Sequence, residues 1–162
     1  METETIAELG QRVSQELENG KTLRESYKYL ELYKGSDWLD YFYKDLTEEQ
    51  KQCKSHRRFV IYRDKNVDVV LIIWNPHIEC QPHDHPKGGC LLKVMNGYLK
   101  EREFLKTTEC FVFKQYNLLR EGSIYYQEGD YIHSIRNDLD EFSCSLHIYA
   151  PSNYIPKKYL FL

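Results

Sequence analysis

The chain has 162 residues, 41% of them hydrophobic and 29% charged, which suits one soluble domain with a sizeable core. A net charge of −3 gives no basic field for nucleic acid, and the apolar run Val69-Val70-Leu71-Ile72-Ile73-Trp74 is too short to cross a bilayer. The acidic N-terminus lacks the charged-then-apolar order of a signal peptide, so a cytoplasmic address is expected.

The first third, about 1–55, reads as helix. Ile6, Leu9, Val13 and Leu17 recur at helical spacing until Asn19-Gly20 stops the run. Thr22-Leu23-Arg24-Glu25 is a capping box, followed by the stripe Leu23, Tyr27 and Leu30 and a stop at Gly35. Ser36 is placed to cap a third helix carrying Trp38, Leu39 and Phe42, and Thr47-Glu48-Glu49-Gln50 to open a fourth turn. These residues read as packing rather than chemistry.

From about residue 56 to 162 the period becomes strand-like. Strands are expected over 58–62, 67–74, 90–95, 98–104, 110–115, 124–127, 131–135 and 142–150. Turns are expected at Asp64-Lys65-Asn66, Asn96-Gly97, Glu121-Gly122 and Glu128-Gly129-Asp130, with Asn96-Gly97 signalling a hairpin. Many short strands without helices between them mean a sandwich or barrel, here with the helices packed outside. One domain over 1–162 is expected.

Five cysteines, Cys53, Cys80, Cys90, Cys110 and Cys144, are odd in number, irregular in spacing and contain no CxxC. That argues against a disulfide framework or a thiolate zinc site, and reads all but Cys90 as small buried hydrophobes.

His83-Asp84-His85 places two imidazoles on one side of an extended backbone, where they can grip one metal ion. His85 is followed by Pro86-Lys87-Gly88-Gly89, then Cys90, then Gly97 after six residues. This resembles the first cupin motif, with Cys90 where cupins usually place a glutamate ligand. Gly122, His133 and Asn137 resemble the second motif, with Glu128 and Asp130 in place of its proline and glycine. The resemblance makes His133 the third ligand. Three imidazoles without a carboxylate leave a divalent ion its full charge and suit a ligand arriving as a thiolate, although imidazole serves zinc, copper and nickel as well as iron.

Three longer stretches strengthen the likeness. They are Trp74-Asn75-Pro76, then Pro82-His83-Asp84-His85, then Cys90 through Leu99-Lys100-Glu101. With these, 22–151 resembles the cysteine dioxygenases, iron-dependent cupins that oxidise a thiol with dioxygen. The resemblance implies a mostly β, jelly-roll-like cupin barrel, Fe(2+) on His83, His85 and His133, and a thioether between Cys90 and Tyr149. In Ser145-Leu146-His147-Ile148-Tyr149, alternate residues share a face. Alone this is an ordinary strand with a polar side; the resemblance makes Ser145, His147 and Tyr149 the family's catalytic triad. It also makes Arg58 the clamp for the substrate carboxylate, with Arg63 as the competing choice and Arg57 on the opposite strand face. His56 stands where most members have a substrate-holding tyrosine. L-cysteine, yielding cysteine sulfinic acid, is the expected substrate. A dioxygenase of 3-mercaptopropionate is the nearest alternative, disfavoured by Arg58, and a non-catalytic metal-binding cupin is a third reading, disfavoured by the triad.

Overall fold

A computed structural model describes residues 2–44, 48 and 56–160. The first helix, α1 (Ile6–Glu18), opens on a capping box in which Thr5 and Glu8 bond each other's backbone amides. Its stripe of Ile6, Leu9 and Val13 is buried. A single 3₁₀ turn, Arg24–Ser26, starts at the Thr22–Glu25 box and leads into α2 (Tyr27–Leu32). The short α3 spans Trp38–Phe42.

Two helix boundaries differ from expectation. The second helix ends at Leu32, before Gly35, because 33–34 pairs with the N-terminal segment through a Thr3–Tyr33 bridge. Gly35 is there for close approach: a Cβ on it would lie 1.9 Å from the Glu4 carbonyl oxygen. The third helix has no side-chain cap from Ser36; Asp37 holds the cap position, and its carboxylate accepts from the Ile6 amide and the Tyr33 hydroxyl. The turn expected at 47–50 lies outside the described residues apart from Glu48.

Nine strands follow among the described residues: β1 (His56–Arg63), β2 (Asp68–Trp74), β3 (Ile78–Glu79), β4 (Cys90–Asn96), β5 (Leu99–Lys106), β6 (Phe111–Leu119), β7 (Ile124–Gln127), β8 (Ile132–Asn137) and β9 (Ser143–Tyr149). They form two antiparallel sheets, ordered β1-β2-β9-β4-β7 and β3-β8-β5-β6. The fold is the expected mostly β cupin barrel with helices outside.

The Asn96-Gly97 link is not a hairpin. Gly97 adopts the left-handed φ of 76°, but β4 pairs with β7 and β9 whereas β5 pairs with β6 and β8. The turn carries the chain from one sheet to the other, and the Gly97 amide is held by the Glu121 carboxylate. The short β3 adds to the expected strands, and β6 runs to Leu119 rather than 115.

Strand alternation divides the core. One cluster lies between the helices and the five-stranded sheet and contains Ile6, Leu9, Val13, Val69, Leu71, Ile73, Leu146 and Ile148. A second lies inside the barrel and contains Val70, Ile72, Trp74, Leu92, Val94, Leu99 and Ile135. The inner cluster borders the site.

Candidate metal centre

His83 and His85 lie on the extended segment between β3 and β4, and His133 lies on β8. A backbone bridge between His83 and His133 (N···O 2.9 and 3.2 Å) brings the two motifs together. The three imidazoles converge, with Nε2 of His133 lying 3.0 Å from Nε2 of His85 and 3.2 Å from Nε2 of His83. All three offer a ligand atom within 4.8 Å of the others.

Each outer nitrogen has an acceptor. Nδ1 of His83 faces the Gln81 carbonyl at 2.9 Å, that of His85 the Tyr131 carbonyl at 2.8 Å, and that of His133 the Glu101 carboxylate at 2.6 Å. An Nδ1–H donated outward leaves the Nε2 lone pair pointing inward, the tautomer a metal needs. Burial is the main force holding all three histidines below the ordinary imidazole range, so they are neutral and ligand-ready near pH 7. With bonds of about 2.0–2.1 Å, nitrogens at these separations subtend roughly 90–105° at a shared ion. The three histidines therefore fit a metal ion, and their donor chemistry does not choose which.

Glu101, from β5, ends one of the motif stretches, but nothing in the sequence gives it a role at the centre. It is buried, also accepts from Asn117 (2.8 Å) and Gln127 (3.2 Å), and is pushed above the usual carboxylate range, chiefly by burial. Its contact with His133 arises from the pairing of β5 with β8, a long-range register that no local pattern reveals.

Beside the histidines is a cavity of ≈ 340 Å³, bordered by His56, Arg58, Trp74, Cys80, His83, His133, His147 and Tyr149 among others. On β9, the Ser145 hydroxyl lies 2.7 Å from Nε2 of His147, and Nδ1 of His147 lies 3.2 Å from the Tyr149 hydroxyl. Trp74, only a motif residue at the level of sequence, donates its indole N–H to Ser145 Oγ at 2.8 Å. Ser145 thus accepts from Trp74 and can donate to His147 Nε2. Nδ1–H then donates to the Tyr149 oxygen, leaving the phenolic proton free for a ligand. Burial, followed by the charge of Arg58, holds His147 well below the usual range, and burial raises Tyr149, so both are neutral.

Cys90 and Tyr149 are direct partners across the β4–β9 pair. The Cys90 thiol is buried, 3.7 Å from His147 Nδ1, and burial raises its pKa. Arg58 borders the cavity with its guanidinium carbon 5.7 Å from the Tyr149 ring centroid. The competitors are elsewhere: Arg63 is paired with Asp68 at 2.6 and 3.1 Å, and Arg57 is buried with its guanidinium over Phe142. His56 packs its ring 4.9 Å from that of Trp74, and burial lowers its pKa to about 4.

The four described cysteines, Cys80, Cys90, Cys110 and Cys144, are free thiols. Two of the expected buried hydrophobes differ: Cys110 is exposed at the β5–β6 turn, and Cys80 borders the cavity with its thiol 3.8 Å from His83 Nδ1. Cys53 lies outside the described residues.

A family model described as cysteine dioxygenase type I matches residues 3–159. Cysteine dioxygenase type 1 of Homo sapiens is 29% identical over 105 residues, covering 62% of this chain and 52% of that protein. The Bos taurus protein of the same name is 28% identical over the same coverage. The chain spans about half the length of the curated relatives it matches. The fold is shared with an uncharacterized conserved protein with a double-stranded β-helix domain from Klebsiella pneumoniae, at TM-score 0.53 and 19% identity over 73% of this chain and 98% of that one. It is also shared with a protein of Thermus thermophilus, TT1209, at TM-score 0.50 and 14% identity over 65% and 96%. The match across 3–159, joined to a three-histidine centre inside a cupin barrel, means that this chain belongs to the cysteine dioxygenase type I family.

Proposed function

We propose that this protein is an iron-dependent thiol dioxygenase that converts L-cysteine and O2 to cysteine sulfinic acid. The observation that carries the reading is one cavity bordered by His83, His133, Arg58 and Tyr149, with no carboxylate among the three grouped ligands. The balance is simple: a thiol and one dioxygen give a sulfinic acid, both oxygen atoms entering on sulfur. Fe(2+) on His83, His85 and His133 would supply the redox chemistry that joins oxygen to sulfur and would favour the thiolate.

The chain's own residues bind and orient. Arg58 takes the substrate carboxylate through parallel N–H donors, an arrangement that a lysine could not match. Tyr149, held by the Trp74–Ser145–His147 series, donates its hydroxyl proton to the bound substrate. Glu101 fixes the tautomer of His133. His56 is neutral and packs its ring at a tilt against Trp74, so it offers shape rather than charge. Orientation of this kind is the protein's main contribution to rate.

We also assign a thioether to the Cys90–Tyr149 pair, formed by loss of two hydrogens to dioxygen during turnover. The cross-strand pairing of the two residues supports it. The linked protein should be lighter by two hydrogens, peptide mapping after turnover should join the two fragments, and Cys90→Ala should stay active without forming the link. The same reading treats 1–162 as one cupin unit working as a cytoplasmic monomer on small molecules, without nucleic acid or membrane. No helix among the described residues is long and apolar enough to cross a membrane.

The test is metal analysis of the purified protein, then oxygen uptake with cysteine after anaerobic iron loading. One O2 consumed per sulfinate formed supports the proposal. Peroxide or cystine as the only products from fully loaded protein would rule it out.

A further inference from the structure

The cavity has two cations in its wall, Arg58 on β1 and Lys158 on the segment after β9. Among the described residues, neither side chain is bonded to an anion. The carboxylate in the same wall, Glu79, is already engaged by Arg102 and by Ser134 Oγ at 2.6 Å. The wall therefore presents a second positive charge beside that of Arg58, and unpartnered cations beside a cavity favour an anionic ligand.

Lys158 is not there by chance of a loose tail. Asp84, the middle residue of the His83-Asp84-His85 motif, pins the segment. Its carboxylate accepts from the Tyr154 hydroxyl and the Lys157 amide, both at 2.8 Å, and its own amide donates to the Lys157 carbonyl at 3.1 Å. The Tyr159 amide adds a bond to the Pro82 carbonyl at 2.8 Å, and Lys158 itself bridges to His83. The strap is thus stitched to the very segment that presents two of the histidines. The charge of Lys158 reaches the other groups of the wall, where it adds to the lowering of His56 and His83 and offsets part of the upward push of burial on Cys80.

We propose that Lys158 is a second specificity-determining residue, held at the cavity by the strap that Asp84 pins, and that it selects thiols bearing a carboxylate. The inference rests on the thiol-dioxygenase reading above. Arg58 gives directional, forked recognition, whereas Lys158 is a compact charge on a flexible arm that adds attraction without fixing an angle. Its contribution should therefore fade with salt.

The experiment is anaerobic calorimetry of the iron-loaded protein with L-cysteine and with cysteamine, which lacks the carboxylate, at low and high ionic strength. Lys158 is exposed, so Lys158→Met should fold normally. It should weaken cysteine binding roughly five- to tenfold at low salt and flatten the salt dependence, with cysteamine changed less than about twofold. Lys158→Arg should restore cysteine binding. An unchanged cysteine affinity in Lys158→Met, or equal losses for both thiols, overturns the inference. If the wild type still turns cysteine into sulfinate in that case, the function reading stands without it. A wild-type protein that binds neither thiol overturns both.

Discussion

On one side of the five-stranded sheet, β2 and β9 present Val69, Leu71, Ile73, Leu146 and Ile148, all buried against the helices. On the other side the same two strands present Ile72, Trp74, Ser145, His147 and Tyr149 to the cavity or its supporting hydrogen bonds. Side chains two apart share a face, so one strand builds a core and a site at once. The difference lies in what each face asks of a substitution. The apolar face depends on volume, because a close-packed cluster loses contacts that nothing replaces. The polar face depends on partners, because a buried donor or acceptor is costly once its neighbour is gone. The apolar face also sets the register that aims the polar one: Leu146 and Ile148 anchor β9 between β2 and β4, and His147 follows between them.

Four substitutions have distinct expected effects. The largest effect belongs to His133→Ala, which removes one of the three converging imidazoles. Metal affinity should fall by more than the ~10–100-fold that loss of an outer partner costs, and activity should reach background. Metal titration of the folded variant checks this; retained affinity would remove His133 from the centre. Next is Leu146→Ala, one residue away from His147 on the other face, which should destabilise by ~2–5 kcal/mol in a denaturant melt. Turnover per folded molecule should stay near the wild-type value at low temperature. A turnover loss like that of a polar-face variant would show that the faces are not separable.

Third is Arg58→Ala, expected to lower kcat/KM for cysteine by ~2 kcal/mol if a charged hydrogen-bonded contact is lost. Cysteamine kinetics should change far less, and equal losses would make Arg58 structural. The smallest effect concerns pH and lies away from the site. Asp64 closes the β1–β2 turn by accepting from the Tyr62 hydroxyl and the amides of Asn66 and Val67. Burial pushes its carboxyl up, but the hydrogen bonds outweigh it and leave Asp64 below its ordinary range. A folded-state value below the unfolded one gives stability that is present above the unfolded pKa and lost as pH falls through the folded one. Asp64→Asn should therefore be less stable at neutral pH and show a shallower loss of stability on acidification. A variant that keeps the wild-type acid limb would show that Asp64 is not the group responsible.

His83 and His85 are legible from spacing alone, two apart on one side of an extended backbone. His133, Arg58, Cys90 and the set Ser145, His147 and Tyr149 take their roles only from the resemblance, since alternation by itself reads as an ordinary strand with a polar side. The barrel is legible from local pattern as well, since β2, β4, β7 and β9 carry clear apolar alternation or runs. What stays hidden depends on which strand lies beside which. Nothing near Glu101 says that it meets His133, and nothing near Trp74 says that its indole meets Ser145. Asn96-Gly97 signals a turn but cannot say that the next strand joins the other sheet. The far half of β6 hides because its inward Asn117 is polar, bonding Glu101, while Tyr116 and Leu118 are exposed, inverting the usual pattern. Lys158 lies past the recognisable stretch, and only the strap's bonds to Asp84 and Pro82 bring it to the cavity.

In the proposed reaction, both atoms of dioxygen end on one sulfur, beside the polar face of β9 and the three-histidine centre. Turnover of L-cysteine by the iron-loaded protein under 18O2 in ordinary water, with the product weighed by mass spectrometry, tests it most directly. The expected product is cysteine sulfinic acid carrying two 18O atoms. A product with one label or none, or cystine alone, would contradict it.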